Sequence, residues 1–328
     1  KNSALTSVLY VRDDGNVGIG TTNPNNTIQV KDLVNFDNAK TGTFIGYQTG
    51  NSNTGTLNSF IGYQSGFSNT TGEYNTALGY RSFYTNSSGY GNVAMGYRAL
   101  YSNTTGYYNA ALGAYALDSN TSGRNNTAIG VEALKSNTTG INNFALGYWA
   151  LYSSTGDYNS AIGSNALQAV TTGSGNFGLG YKAGDNITTG ANNIILGYDI
   201  DAPSATGSNQ LNIGNLIFAT GVDGTGTTLS TGKVGIGTTN PQHKLQVAGD
   251  ISTVAGADVA IATYDAYNLN FYGAVASGTA NKGVIINYYS GGWLKALEIM
   301  NLSSGYGKLL LMQNGGNVGI GQTTPSSK

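Results

Sequence analysis

A repeat with a period of seventeen constrains this chain more than any other feature of its sequence. A glycine preceded by a branched or long apolar residue recurs eleven times, and successive copies are separated by seventeen positions or, in two places, by sixteen. These glycines are Gly46, Gly62, Gly79, Gly96, Gly113, Gly130, Gly147, Gly163, Gly180, Gly197 and Gly214. A disordered low-complexity chain does not keep such a register, so the sequence predicts a repeat protein in which each unit packs on the next.

The repeat unit can be written N-x-A-[IL]-G-Y-x-A-L-x-S-N-T-T-G-x-x, as in residues 92–108. Its first half alternates with the period of two that is typical of a β-strand, and Ser-Asn-Thr-Thr-Gly is turn chemistry. No segment has the length and periodicity of a helix. We therefore predict an all-β chain containing a parallel β-solenoid of strand-turn-strand coils. At about 4.8 Å per coil the solenoid would be roughly 50 Å long.

Asparagine stands four residues before the repeat glycine in nine consecutive units. Identical side chains stacked one above another can hydrogen-bond as a ladder, and the central rungs are expected to be Asn75, Asn92, Asn109, Asn126 and Asn143. The apolar residue directly before the glycine, such as Leu112 or Ile129, is expected to fill the coil interior.

Alanine forms two further columns, two residues before and three residues after the repeat glycine, as at Ala111 and Ala116. Recurrence on both faces suggests that one column packs inside the coil and the other against another chain. A thin solenoid has a weak core of its own. We therefore predict an intertwined homotrimer with small residues near its axis. Larger or polar residues replace alanine at the two ends, where terminal coils need caps: Phe44, Phe60, Ile195 and Asn212.

A second motif flanks the repeats. GNVGIGTTNP occupies residues 15–24, GKVGIGTTNP residues 232–241 and GNVGIGQTTP residues 316–325. Each copy follows an apolar or alternating run (SVLYVRDDG, TTLSTG or LLLMQNGG), which predicts a β-hairpin and then a Pro-terminated strand. Short strands TIQV and KLQV follow the first two copies, and GVIINYY and KLLLM are predicted strands farther on. The predicted domains are 1–41, a β fibre module; 42–214, the solenoid; 215–315, one or more C-terminal β modules; and 316–328, the start of another fibre module.

These motifs carry two resemblances. The [NK]VGIGTTNPxxxLQV segments resemble those of bacteriophage tail fibres and related bacterial surface proteins. The NxA[IL]G columns of residues 42–214 resemble the head repeats of trimeric autotransporter adhesins, although the period here is 17 rather than about 14. Both resemblances imply an elongated extracellular trimer used for attachment, on a virion tail or a cell surface. The chain is expected to be a processed or partial piece of such a fibre.

Composition argues against most other functions. Only 9 % of the residues are charged, the net charge is −1, and the chain has no cysteine and one histidine. We predict no enzyme activity, no metal, no cofactor, no nucleic-acid partner and no membrane insertion in this segment. The Gly-Ile-Gly-Thr-Thr-Asn segments lack the third glycine and the helix of a dinucleotide loop. His243 is interpreted as a solvated surface residue, and Asp13-Asp14 as part of a hairpin turn.

Tyrosine is the remaining candidate for binding, with 23 copies in the chain. The primary interpretation is an aromatic ladder that stabilises neighbouring coils. The functional alternative is a platform that stacks on sugars, with candidate contacts at Tyr80, Tyr84, Tyr97, Tyr101, Tyr148 and Tyr152. Five Asn-x-Thr/Ser triplets, at Asn69, Asn86, Asn103, Asn120 and Asn137, are interpreted as turns, with glycosylation as the alternative.

The sequence therefore favours a non-enzymatic attachment fibre that recognises a surface polysaccharide or receptor. One alternative is a structural extracellular filament or sheath whose units polymerise. Another is an ice-binding solenoid, which is ranked lower because the threonines fall in turns rather than on a flat strand face. A polysaccharide hydrolase would need a pair of carboxylates, and the sequence contains no recurring carboxylate pair.

Overall fold

The computed structural model describes residues 9–13, 17–19, 28–30, 34–37, 42–249, 282–290, 293–301 and 308–313. All regular elements among these residues are β-strands. The chain divides into two compact units, Lys1–Ala257 and Asp258–Lys328.

The first unit is a parallel β-solenoid with antiparallel strands at both ends. Four strands precede it: β1 (Leu9–Val11), β2 (Val17–Ile19), β3 (Ile28–Val30) and β4 (Val34–Asp37). The stack itself contains β5 (Gly42–Ile45), β6 (Ser59–Ile61), β7 (Thr76–Leu78), β8 (Val93–Met95), β9 (Ala110–Leu112), β10 (Thr127–Ile129), β11 (Phe144–Leu146), β12 (Ser160–Ile162), β13 (Phe177–Leu179), β14 (Ile194–Leu196) and β15 (Gln210–Ile213). Three strands follow: β16 (Ile217–Thr220), β17 (Lys233–Ile236) and β18 (Leu245–Val247).

Each strand of the stack pairs in parallel with the strand one coil away, so the period of the sequence repeat is the length of one turn of the solenoid. Ala128 of β10, for example, lies between Ala111 and Ala145. The prediction of two strands per coil was wrong, because each coil contains a single short strand and the rest is turn. The turns are nevertheless bonded coil to coil, as Leu100 N donates to Ala116 O at 2.9 Å and Thr104 N to Thr121 O at 2.9 Å.

The interior of the coil is built differently from the prediction. In the central strands the middle residue points inward, so Ala94, Ala111 and Ala128 are fully buried, whereas the apolar residue before the glycine lies on the outer face. Leu78, Met95 and the other members of that apolar column are partly or largely exposed, with Leu78 42 % and Met95 39 % exposed. The second alanine column, including Ala116, is also buried within the coil. Neither alanine column is therefore left over to line a trimer axis.

The volume of the coil interior explains why alanine, rather than the larger apolar residue, points inward. The space across from the inward alanines is filled by large side chains four residues after the repeat glycine: Phe83, Leu100, Leu117, Leu134, Leu151 and Leu167, all essentially buried. In the second coil the sizes are exchanged, because Phe60 points inward and Gly66 takes the opposite position. A Cβ on Gly66 would lie 2.3 Å from the Phe60 ring. The phenylalanines at the N-terminal end therefore fill the same cross-section with the large residue on the other side.

The expected asparagine column forms a buried ladder. Asn109 Nδ2 donates to Asn92 Oδ1 at 3.2 Å and to Gly123 O at 2.8 Å, and Asn109 Oδ1 accepts the backbone N–H of Asn126 at 3.1 Å. The same pattern repeats at Asn92, Asn126 and Asn143, and Asn75 likewise accepts from Asn92 and donates to Gly89 O. Each rung thus satisfies backbone groups of the neighbouring turns as well as the adjacent asparagine.

A second asparagine ladder, which the sequence interpretation missed, is made by the Asn-x-Thr/Ser triplets. Asn103 Nδ2 donates to Asn86 Oδ1 at 2.8 Å and to Gly106 O at 3.0 Å, and the other four asparagines of this set bond in the same way. All five side chains are fully buried. The amide nitrogen that glycosylation would modify is therefore enclosed and already donates two hydrogen bonds, which argues for the turn interpretation.

The second ladder stops abruptly, and this gives a testable consequence. Asn137 Oδ1 is buried without a partner because the next member of the column is Ser154, in a coil shortened by one residue. The other short coil holds Asn53 at the same place, where Nδ2 donates to Gly55 O at 2.8 Å and Oδ1 accepts from Asn69. An asparagine thus fits a short coil.

We expect Ser154→Asn to raise the free energy of unfolding by about 1 kcal/mol, since it supplies the missing donor to Asn137 Oδ1. Urea denaturation followed by circular dichroism measures the change. Ser153→Asn, one residue away, is the control and should be nearly neutral. Loss of stability in Ser154→Asn would show that this coil cannot accept the longer side chain.

Antiparallel strands close both ends of the parallel stack. At one end β4 pairs antiparallel with β5, and at the other β16 pairs antiparallel with β15. Because an open strand edge is a template for pairing with another chain, these strands cover the edges that the stack would otherwise present.

The described strands of the first two GIGTTNP motifs pair in the same way. Val17 pairs with Ile28 and Val234 with Leu245, in parallel and with the same separation along the sequence. In the first motif β1 and β2 are antiparallel, as the predicted hairpin requires, and the residues of its turn, 14–16, lie outside the described residues. In the second copy the antiparallel partner of β17 is β16, and the predicted strand TTLSTG is not a strand.

The second unit contains a three-stranded antiparallel sheet of β19 (Lys282–Ser290), β20 (Trp293–Asn301) and β21 (Lys308–Gln313). Two of these strands include the predicted runs GVIINYY and KLLLM. The third GIGTTNP-like motif, at residues 316–325, lies outside the described residues.

Candidate ligand-binding surface

Aromatic and charged side chains concentrate on one set of turns, which we call the aromatic face. It consists of the residues one, two and five positions after the repeat glycine in the coils that begin at Gly62 to Gly180. The second of these positions has a left-handed backbone, for example φ 55° at Arg98 and 56° at Trp149. Each position recurs once per coil, so side chains of the same column lie directly above one another.

In the N-terminal coils the tyrosines of this face form ladders. Tyr63, Tyr80 and Tyr97 stack with ring centroids 5.1 and 5.3 Å apart and planes within 6°. Tyr84 stacks between Phe67 and Tyr101 at 5.1 Å on each side. The flat faces of the inner rings are therefore occupied by neighbouring rings, and their edges remain for contact with other molecules.

Charged side chains interrupt these ladders in the middle coils. Arg98 binds Asp118 with two hydrogen bonds, Nε to Oδ1 at 3.0 Å and a terminal nitrogen to Oδ2 at 3.1 Å. Its guanidinium lies 4.1 Å from the centre of the Tyr101 ring, a cation–π contact. One coil farther on, Lys135 pairs with Glu132 at 3.2 Å and lies 5.0 Å from the Tyr115 ring. Opposite charges are thus paired across this part of the face.

Burial raises the pKa of Asp118 above the ordinary carboxyl value, and the pairing with Arg98 offsets only part of that effect. The folded state therefore holds this proton more tightly than the unfolded chain does. The resulting stabilisation is present below the ordinary carboxyl pKa and is lost as the pH rises through the raised pKa of the folded state.

We expect the melting temperature of the wild type to fall relative to that of Asp118→Asn as the pH is raised from about 3 to about 7. Asp223→Asn is the control, and its pH dependence should have the opposite sign, because hydrogen bonds from Thr231 lower the pKa of Asp223. The difference in melting temperature between Asp223→Asn and the wild type should be small, because Asp223 is exposed. The melting temperature of the wild type should rise relative to that of this variant as the pH is raised. Parallel melting curves for wild type and Asp118→Asn across this range would contradict the assignment.

The coil that begins at Gly147 has a different arrangement of rings. Tyr148 stacks on Trp149 of its own coil, with centroids 5.0 Å apart and planes at 13°, and Trp149 contacts Tyr152 at 5.2 Å. Tyr148 is 47 % exposed. The corresponding positions in the neighbouring coils carry Val131 and Ser164, so no ring from an adjacent coil continues a ladder here.

The six tyrosines proposed from the sequence are therefore not equivalent. Four of them belong to ladders of rings from successive coils: Tyr80, Tyr84, Tyr97 and Tyr101. The other two, Tyr148 and Tyr152, contact Trp149 instead. Trp149 was missed from the sequence, although it is the only tryptophan within the repeats and replaces the arginine, glutamate or other residue of its column.

Other candidate sites are sparse in the part of the chain that the structure describes. No group of three or more His, Asp or Glu residues is placed there to hold a metal ion. His243 is exposed, just before β18. None of the same residues forms a helix that is long and apolar enough to cross a membrane.

Comparison with known proteins does not assign this surface to a family. No protein-family model matches the chain, and neither a curated protein nor a solved structure is significantly similar to it.

Proposed function

We propose that this chain is part of a non-enzymatic, homotrimeric attachment fibre that acts outside the cell, on a virion tail or a cell surface. In this proposal the solenoid is the shaft or head of the fibre, and its aromatic face recognises a surface polysaccharide or receptor. The proposal that several chains associate rests on the outer face of the parallel sheet.

That outer face consists of the two outward positions of each strand from β5 to β15, such as Ala110 and Leu112 of β9. No charged residue occupies any of these positions. One of the two is Ile, Leu or Met in every strand, and large apolar residues also fill the other position in several strands, as at Phe144 and Phe177. All charged side chains of the solenoid lie elsewhere.

A parallel sheet is ordinarily covered on both faces. The inner face here is covered by the coil's own turns, whereas the outer apolar column remains partly or largely exposed over eleven strands. At about 4.8 Å per strand this stripe is roughly 50 Å long. Exposed apolar surface of this extent usually marks a contact with another molecule. A copy of the same chain matches it, since an uncharged apolar stripe of constant spacing is complementary to itself.

The alternative of a polymerising filament receives less support. End-to-end growth through strand edges would need open edges on the parallel stack, and β4 and β16 cover both. Lateral association through the outer face produces a discrete rod instead.

The assembly is tested by size-exclusion chromatography with light scattering. The wild type should have three times the mass of one chain, and Leu112→Glu, which places a charge on the outer face, should lower the mass while the β-sheet circular dichroism is retained. Ser122→Glu places the same charge on an exposed turn and should remain trimeric. A folded wild-type monomer would contradict the proposal.

Recognition is tested separately with an array of neutral and uronic-acid-containing oligosaccharides. Retention of the wild type on a subset of these glycans is expected. A trimer that binds none of them would refute the glycan part of the proposal and leave the assembly intact.

A further inference from the structure

The coil that begins at Gly147 departs from the regular columns in a way that indicates a binding site. In the N-terminal coils, rings of the same column stack on one another. A coil whose rings do not stack on those of its neighbours loses that stabilisation, and such local exceptions to a regular pattern are expected at functional positions. This inference rests on the proposed attachment function and locates it on the rod.

The first observation is which rings contact one another. In the ladders, each inner ring has a neighbour on both flat faces, as Tyr80 has Tyr63 and Tyr97. Tyr148 and Tyr152 have no ring from an adjacent coil against them, and both contact Trp149 within their own turn. The three rings therefore form an isolated cluster rather than a segment of a continuous stack.

The second observation is an unpaired donor within this cluster. Trp149 Nε1 is one of two buried side-chain polar atoms without a hydrogen-bond partner in the described part of the chain. Such an unmet donor costs on the order of 1–3 kcal/mol, and buried indole N–H groups usually have a partner. A ligand hydroxyl would provide the acceptor after a small side-chain displacement.

The third observation is the set of polar groups on the two adjacent coils. On one side, Lys135 pairs with Glu132 at 3.2 Å and lies 5.5 Å from the Tyr152 ring. On the other side, Asn165 Nδ2 donates to Gln168 Oε1 at 2.7 Å. Backbone hydrogen bonds hold this second coil directly against the cluster, with Asn165 N donating to Tyr148 O at 2.8 Å.

These features match the chemistry of a sugar. Ring faces take up the C–H face of a hexose, and carboxamide and carboxylate groups bind its hydroxyls. The charges beside the cluster are paired, so nothing on these coils favours an anionic ligand. We infer that Tyr148, Trp149 and Tyr152, with Glu132 and Gln168 beside them, bind a neutral hexose unit of a polysaccharide.

The test compares three variants of the full chain on the same array of neutral and uronic-acid-containing oligosaccharides. Tyr152→Ser removes a ring of the cluster, Gln168→Ala removes an amide without touching a ring, and Tyr74→Ser removes an exposed ring outside the aromatic face as the control. Circular dichroism verifies that each remains folded. We expect at least a tenfold loss of binding to neutral glycans in the first two variants and less than a threefold loss in the control.

A direct readout comes from tryptophan fluorescence. The chain has two tryptophans, so Trp293→Phe leaves Trp149 as the only one. Titration of that variant with the neutral oligosaccharide retained on the array should change the Trp149 emission.

The inference would be overturned by several results. Binding to neutral glycans that is unchanged in Tyr152→Ser and Gln168→Ala would refute this location while supporting the proposed function. Binding to acidic glycans alone would refute the ligand class. A wild type that binds no glycan would overturn both the site and the glycan part of the proposed function.

Discussion

Replacement of Asn109 by alanine is expected to lower the free energy of unfolding by about 2–4 kcal/mol, because a buried unsatisfied group costs about 1–3 kcal/mol and further hydrogen bonds of the ladder are lost with it. Asn109 Oδ1 accepts the backbone N–H of Asn126, and Asn109 Nδ2 donates to Gly123 O. Alanine leaves the Asn126 N–H without a partner inside the coil, and Gly123 O keeps only the hydrogen bond from Asn120 Nδ2. It also leaves a small cavity. Urea denaturation monitored by circular dichroism gives the value.

Two comparisons isolate the role of the ladder. Ser122→Ala, on an exposed turn of the same region, should change stability by no more than about 0.5 kcal/mol. Asn109→Asp keeps the acceptor for Asn126 and loses the donor to Gly123 O, and it adds a buried carboxyl group. Its stability should therefore improve relative to the wild type as the pH is lowered and the carboxyl becomes neutral. A cost below about 1 kcal/mol for Asn109→Ala would show that the ladder is not needed for folding.

Replacement of Gly113 by alanine is expected to have a larger effect, on the order of 4 kcal/mol or more, or to prevent folding. Gly113 has φ 139°, and a Cβ there would lie 2.4 Å from Gly130 O and 2.6 Å from its carbonyl carbon. Since these atoms belong to the backbone of the next coil, no side-chain movement relieves the contact. The two coils would have to separate. Thermal unfolding measures the effect.

The control separates the steric contact from the backbone conformation. Gly226 also has a positive φ, 57°, but no atom lies within 4 Å of the position of its Cβ. Gly226→Ala should therefore cost about 1–2 kcal/mol from the left-handed backbone alone. If the two variants lost equal stability, close stacking of the glycine column would not be the reason for its regularity.

The repeat itself was predictable from the sequence because hydrogen bonding between coils requires one register throughout. The nearly constant interval between the repeat glycines implied parallel strands one coil apart, and the pairing of Ala128 with Ala111 and Ala145 confirms it. The first asparagine column was recognisable for the same reason. Its hydrogen bonds in the structure involve both the neighbouring asparagine and a glycine carbonyl, which no pattern of side chains reveals.

The direction of the side chains was predicted wrongly. Period-two alternation shows that Ala111 and Leu112 point to opposite faces, but not which face is inside. Hydrophobicity alone favours leucine inside. The decisive quantity is the width of the coil, because Leu117 already fills the interior from the opposite side and leaves room only for alanine. That cross-section depends on the path of the turns, which include non-glycine residues with positive φ such as Tyr115 and Leu117.

The tyrosine ladders were predicted only in part. The tyrosine columns of the sequence predicted rings stacked from coil to coil, and the stacks of Tyr80 with Tyr97 and of Tyr84 with Tyr101 confirm this, whereas ligand binding by these tyrosines stays a prediction. Sequence position could not distinguish the ladder ring Tyr80 from Tyr148, because both directly follow a repeat glycine. Their different surroundings arise from the adjacent coils, where Tyr97 continues a ladder and Val131 does not.

The central claim is that the outer face of the sheet joins copies of the chain, and thiol reactivity tests it most directly. The natural chain has no cysteine, so Leu112→Cys introduces a single thiol on that face. In the assembled protein this thiol should be protected from a maleimide reagent, and it should react rapidly once Leu146→Glu, on the same face, has separated folded copies. Rapid labelling of Leu112→Cys in the otherwise unchanged protein, at the rate of a cysteine placed at exposed Ser122, would contradict the account.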